Sequence, residues 1–137
     1  PVPNFGKYVD KKVADKFFPP RKSDFFQSKE MRKGVKFEEL AIRRYEKQTG
    51  KRVLRKSFVY TDFIGASTDG IREDGINIEV KNVIASRFIG ALTDWDAFFA
   101  QYKAQVHVEM YLLKVNETDF IVQCQDEPNL PLIVRRI

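Results

Sequence analysis

The stretch "GASTDGIREDGINIEVKNV", Gly65 to Val83, contains three residues of types that could act together on a substrate: Asp69, Glu79 and Lys81. The stretch reads as a β-hairpin. A three-residue loop, Glu73-Asp74-Gly75, with Gly75 in the left-handed conformation, pairs Arg72 with Ile76. Counting outward places Asp69 opposite Glu79 on one face, with Cβ atoms about 4.5–5.5 Å apart. Lys81, two residues past Glu79, points to the same side, and Ile78 and Val80 point to the other. A two-residue loop would shift the pairing by one and separate the acids.

Two carboxylates at that distance repel, and one stays protonated unless a cation intervenes. A divalent ion relieves the conflict, and hard oxygen ligands on a partly open site suit Mg²⁺ or Mn²⁺. Lys81 then stands as a fixed positive charge beside an attacking water. The competing reading is an ordinary cross-strand acid–base ladder on a solvated face.

Other elements must hold this hairpin. The chain has 137 residues, 43% of them hydrophobic and 12 of them Phe, which suffices for one core and a single domain over 1–137. "NFGKYVDKKVADKFF" has helical spacing, with Phe5, Val9, Val13 and Phe17 near one face, and Pro19–Pro20 stops it. A long helix is predicted from about Asp24 or Ser28 to Gln48, capped by Gly50. "RVLRKSFVY" reads as a strand. After the hairpin, "SRFIGALT" reads as a loop. Thr93 or Asp94 caps a helix through "WDAFFAQYKAQVHVEMYLL". "DFIVQCQ" and "LPLIVRRI" read as closing strands. This order predicts an α/β or α+β domain, a mixed central sheet flanked by helices.

Two helices carry polar residues in or beside an apolar stripe. Met31, Gly34, Val35, Glu38, Ala41, Ile42 and Tyr45 share one face of the long helix, with Glu38 in the middle and Glu39 on the flank. A carboxylate buried there needs a partner, either a buried base or a metal at the hairpin. In the later helix Gln105 lies at the edge of the stripe Trp95, Phe98, Phe99, Tyr102 and Val106. It could hold a buried backbone group, a water or a phosphate oxygen. The one histidine, His107, falls on the opposite side, so no Ser-His-Asp or Cys-His mechanism can be built on it. The glycines Gly65, Gly70 and Gly75 have hairpin spacing, not that of a phosphate-cradling loop.

The net charge of +5 points to a polyanionic partner, nucleic acid first and anionic lipid second, against the simpler reading of charge kept for solubility. The lone Cys124 can form no internal disulfide and cannot alone hold a zinc ion or an iron–sulfur cluster. It fits a reducing, intracellular location. No apolar run approaches a membrane span. Because the chain begins at Pro1, residues before it are expected.

Four segments in order, "GVKFEELAIRRYEKQTG", "GASTDG", "IEVK" and "QYKAQVHVEM", resemble the PD-(D/E)XK nuclease superfamily. Within it they resemble the YqaJ and lambda-exonuclease branch of viral recombination nucleases. Gly34, Glu38, Ala41 and Tyr45 match its G-x-x-x-E-x-x-A-x-x-x-Y helix. Thr68-Asp69-Gly70 matches S-x-D-G, with Ser67 one place early. Glu79 and Lys81 match E-x-K, and Gln101 and Gln105 match the last helix. The likeness covers roughly residues 30–110.

The resemblance implies a restriction-endonuclease-like core and a Mg²⁺- or Mn²⁺-dependent DNA exonuclease that leaves 5′-phosphates. Asp69 and Glu79, with the Val80 carbonyl, would ligate the metal, and Glu38 would bind a second metal or orient its water. Lys81 would orient and help deprotonate the attacking water, and Gln105 would position a water or the DNA backbone. Arg43, Arg44, Lys47, Lys51, Arg52, Lys56, Arg87 and Gln101 are candidate DNA contacts. A homo-oligomer and a recombination partner protein are further candidate partners, but the toroidal trimer of lambda exonuclease is not carried over. The family's N-terminal arginine and serine contacts to a 5′-phosphate have no clear counterpart here. The rival readings are a resolvase- or restriction-type endonuclease on the same core, and a DNA-binding module without activity.

Overall fold

The computed structural model describes residues 29–55 and 58–137. The helix expected around Phe5–Phe17 lies outside the described residues. The chain divides into two compact units, Pro1–Arg32 and Lys33–Ile137. Of the first, only Lys29–Arg32, an opening helical turn, is described.

Helix α1, Lys29–Thr49, ends where expected: Gly50 adopts φ 69° and donates its N–H to the Glu46 carbonyl at 2.8 Å. Its apolar stripe is buried only in the C-terminal half, at Ala41, Ile42 and Tyr45. Val35 and Glu38 are half-buried, and Met31 and Gly34 are exposed. Glu38 therefore lies at the margin of the buried face rather than at its centre, and Glu39 is half-buried as well.

Seven strands follow among the described residues: β1 Val53–Arg55, β2 Phe58–Tyr60, β3 Gly65–Ser67, β4 Gly70–Arg72, β5 Asn77–Val83, β6 Thr118–Cys124 and β7 Ile133–Arg136. Five form one sheet in the order β1-β4-β5-β6-β7, while β2 and β3 form a separate antiparallel pair. Only β5 and β6 are parallel. A parallel pair needs a crossover, supplied by α2 Ala85–Thr93, α3 Trp95–Ala100 and α4 Lys103–Leu113.

The sheet separates two apolar layers. Val53, Ile78, Val80 and Ile121 pack with Ala41, Ile42 and Tyr45 of α1. Val83, Phe120, Val122 and Cys124 pack with Phe88, Ala91, Phe98, Phe99 and Val106 of the crossover helices. Strand β6, covered on both faces, is buried along its whole length. The α/β class and the mixed sheet flanked by helices are as expected.

Several local expectations are corrected. "SRFIGALT" lies within α2 instead of forming a loop. Phe88 and Ala91, three apart, face the core, and the Ala85 N–H is capped by Asp126 Oδ2 at 2.8 Å. That cap comes from a distant carboxylate, so no local signal announced the helix. Asp94 caps the next helix by accepting the Ala97 N–H, but the helix breaks at Gln101–Tyr102 into α3 and α4. "RVLRKSFVY" is two strands in two different sheets. The first arm of the Gly65–Val83 hairpin is interrupted at Thr68–Asp69.

Candidate active site

The hairpin register is the expected one. Gly70 pairs with Ile78 and Ile71 with Asn77. Arg72 N–H donates to the Ile76 carbonyl at 2.8 Å, and Gly75 takes φ 90°. The same count sets Asp69 across from Glu79. Strand β4, however, begins only at Gly70, so the edge of β5 beyond Ile78 has no β4 partner. Asp69 Oδ2 fills that place by accepting the Val80 N–H at 2.8 Å. In a strand the N–H and C=O of one residue point the same way, so the Val80 carbonyl faces the same edge.

The break before β4 is held by Thr68. Its hydroxyl lies 2.5 Å from Asn77 Oδ1 and 2.8 Å from the Gly70 carbonyl, and accepts the Gly70 N–H at 3.2 Å. Gly70 itself admits no side chain: a Cβ there would overlap Val53 Cγ1 and lie 3.3 Å from the Leu54 carbonyl. The Thr-Asp-Gly run thus releases the chain from the ladder, aims the carboxylate and lets β1 close over β4.

Glu79 is buried, 2% exposed, on the side of the sheet facing α4. Lys81 Nζ lies 2.5 Å from Glu79 Oε1 and 3.4 Å from Gln105 Oε1. Gln105 Nε2 donates to Glu79 Oε1 at 2.9 Å and to Glu109 Oε1 at 2.8 Å. The Lys81 ammonium also lies 4.9 Å from the centre of the Tyr102 ring, whose hydroxyl accepts from Arg87 Nη2 at 2.7 Å.

These contacts leave negative charge in excess. Asp69 is pushed up to about 7 by burial first and then by the Glu79 charge; the Val80 N–H opposes this and Glu38 adds to it. Glu79 is also pushed up to about 7, by burial, with Lys81 opposing and Glu109 adding. Burial raises Glu109 too, against the hydrogen bonds from Gln105 and Asn77. Two carboxylates coupled through their charges, with the Val80 carbonyl beside Asp69 and Lys81 against Glu79, make a donor set that fits a hard divalent cation. Among the described residues no three or more His, Cys, Asp or Glu side chains stand together as a ready-made metal centre. Glu38 reaches Asp69 through its charge and is not gathered with Asp69 and Glu79 into such a group.

Glu109 was absent from the sequence reading. It is 2% exposed and continues the α4 stripe three residues past Val106, so the argument that singled out Glu38 applied equally to it. The other residues singled out are dispersed. Arg43, Lys47, Lys51, Arg52 and Arg87 are exposed. Arg44 is committed to the protein: Nη1 lies 3.2 Å from Gln123 Oε1 and 2.5 Å from the Pro128 carbonyl, and Nη2 donates to the Leu130 carbonyl at 2.6 Å. Gln101 Nε2 donates to the Phe98 carbonyl at 3.0 Å. Lys56 lies outside the described residues. His107 is exposed, as expected.

Tyr45 has a structural role. Its hydroxyl donates to Asp119 Oδ2 and accepts from Arg72 Nη1 at 2.9 Å, while Arg136 Nε binds Asp119 Oδ1 at 2.5 Å. This network ties α1 to the start of β6 and to β4.

The fold and site define an α/β domain with an acid–acid–lysine centre on β5, the middle strand of its central sheet, at the point where β4 falls short. The chain belongs to the YqaJ-like viral recombinase domain family, which matches residues 4–119. It shares its fold with an alkaline exonuclease, LHK-Exo, from Laribacter hongkongensis, with a TM-score of 0.73 and 20% identity over 99% of this chain and 70% of that one. LHK-Exo in complex with dAMP gives a TM-score of 0.71 and 20% identity, over 96% and 68% of the two chains. A phage-related exonuclease from Haemophilus somnus 129PT gives 0.58 and 18%, over 96% and 70%. No curated protein matches the chain significantly. No helix among the described residues is long and apolar enough to cross a membrane.

Proposed function

We propose that this chain is a metal-dependent deoxyribonuclease, an exonuclease of the phage-recombination type that leaves 5′-phosphates. The carrying observation is the pairing of half-buried Asp69 with buried Glu79, with Lys81 beside it, where β4 falls short of β5. The family, and a fold shared with alkaline exonucleases, favour exonuclease over the resolvase- or restriction-type alternative.

Asp69, Glu79 and the Val80 carbonyl would hold Mg²⁺ or Mn²⁺, with Glu38 adding negative charge from α1. When bound, such an ion supplies water activation and neutralises charge on the phosphate. The protein's own groups do the rest. The ammonium of Lys81, held against Glu79, would orient the attacking water and meet the charge that builds on the phosphate. Gln105 shares its amide between Glu79 and Glu109 and offers Oε1 to Lys81, so it sets the orientation of both catalytic groups. The 3′-oxygen of the upstream nucleotide would leave, protonated to a hydroxyl, and the scissile phosphate would stay on the 5′-oxygen of the downstream fragment. Exposed cations such as Arg43, Lys47 and Arg87 would contact phosphates without regard to sequence.

Time courses on 5′- and 3′-labelled linear DNA, single- and double-stranded, with Mg²⁺ or EDTA, test this. Closed circular DNA serves as the endless control. Mg²⁺-dependent loss of end label from linear DNA only, with 5′-phosphorylated products, is expected. Cleavage of closed circles would move the assignment to an endonuclease, and no hydrolysis of any substrate would leave a binding module.

A further inference from the structure

The β2–β3 pair lies outside the main sheet and is edged with large apolar side chains. Phe58 and Tyr60 share one face of β2, 50% and 73% exposed, with ring centres 5.8 Å apart. The turn that follows is closed by the Thr61 N–H to the Ile64 carbonyl at 2.7 Å, and it carries Phe63, 89% exposed. Ile64 is 44% exposed. Single exposed apolar residues are ordinary, but four within seven positions make a patch that points to a partner.

Two features identify that partner. The hairpin stands beside the candidate active site: α4 packs against β2, β3 and β5, and β3 runs into Asp69 two residues after it ends. The segment that leads into it is also basic: Lys51, Arg52, Arg55 and Lys56 all precede Phe58, while the hairpin itself carries one charge, Asp62 in its turn. Exposed rings next to a basic segment match unpaired nucleotides, whose bases stack on rings while their phosphates meet positive charge. A polyanion complements this charge; a second copy of a basic chain does not.

We infer that the β2–β3 hairpin is a stacking platform for unpaired bases of a DNA strand entering the site, with Tyr60 and Phe63 as its principal rings. The identity of the strand as substrate rests on the nuclease reading, but the binding does not require hydrolysis.

The test is fluorescence anisotropy in EDTA with an oligothymidylate and with an abasic oligonucleotide of the same length. Tyr60→Ala and Phe63→Ala should each weaken oligothymidylate binding about five-fold or more, leave abasic binding unchanged and keep the salt dependence of the wild type. Tyr60→Phe should retain the wild-type affinity. Both alanine changes are at exposed positions, and matched melting temperatures would show the fold is kept. Equal losses on both oligonucleotides, or no loss on either, would overturn the inference. So would a loss of self-association with nucleotide affinity unchanged, which would make the patch an interface between copies. If wild-type protein binds as described but cleaves nothing in Mg²⁺, the nuclease reading fails and the platform stands.

Discussion

Asp69 accepts the Val80 amide N–H at 2.8 Å, occupying the place a residue of β4 would take if that strand ran further. This one bond seals the β5 edge, holds the Asp69 carboxylate across from Glu79 and brings the Val80 carbonyl to the same opening. It also separates the two jobs of the side chain, since an acceptor is needed for the fold and a charge for the chemistry.

Asp69→Asn keeps an acceptor for Val80 and removes the charge. We expect it to melt at or above the wild-type temperature in EDTA and to lose cleavage by orders of magnitude. Asp69→Ala also loses cleavage and leaves a buried N–H without that acceptor, so it should be less stable than the Asn variant by about 1–3 kcal/mol. Denaturant titrations and turnover on both variants check this. Equal stability would mean that Val80 finds another partner.

The metal-free protein should lose stability as pH rises from about 4 to 7. Unfolded carboxyls titrate near 4, whereas folded Asp69 and Glu79 are pushed up to about 7. In that window the folded form binds more protons, so its advantage is full below the unfolded values and is lost as pH rises through the folded ones. Melting in EDTA across this range should show the decline, and Asp69→Asn/Glu79→Gln should flatten it. Mg²⁺ should restore stability at the alkaline end by binding only the folded form.

Glu38 and Glu39 are neighbours, both half-buried, and it is the charge of Glu38 that, after burial and Glu79, raises Asp69. Glu38→Gln should cut activity by orders of magnitude and alter the Mg²⁺ dependence; Glu39→Gln should do little. A purely structural Glu38 would appear instead as a lower melting temperature with turnover per folded molecule retained.

Glu109→Gln removes a buried charge from beside Glu79 and keeps a side chain able to bond Gln105 and Asn77. The Glu79 carboxyl should then ionise at lower pH, shifting the acid limb of the pH–rate profile downward. Glu109→Ala should cost about 1–3 kcal/mol, because the partner amides lose their acceptor. An unmoved profile would disconnect Glu109 from the site.

The two glycines of the family pattern should respond oppositely. Gly70→Ala collides with Val53 and should destabilise by about 1–3 kcal/mol. Gly34, within α1, has nothing within 4 Å of an added Cβ, and Gly34→Ala should stabilise by about 0.5–1 kcal/mol through helix propensity. Chemical denaturation of both variants reads this directly.

Much of the candidate site was legible in the chain because it is built from local rules. Gly75 sets the turn, the turn sets the register, and strand periodicity then places Asp69, Glu79 and Lys81 without reference to anything distant. The helix of Glu38, its glycine cap and the strands of the central sheet followed in the same way from spacing and composition. What escaped depended on partners far along the sequence. Helix α2 has no side-chain cap of its own and is started by Asp126. Strand β4 begins late because Thr68 bonds Asn77 and Gly70 must pass under Val53. The assignment of β1 and β2 to different sheets depends on which strands lie beside them. Arg44 read as a candidate DNA contact, but the Pro128 and Leu130 carbonyls hold it, and although the α4 stripe already marked Glu109 as buried, its bond to Gln105 beside Glu79 comes only with the fold. Hydrogen bonds and charge couplings of this kind exist only once the chain has folded, so no local pattern records them.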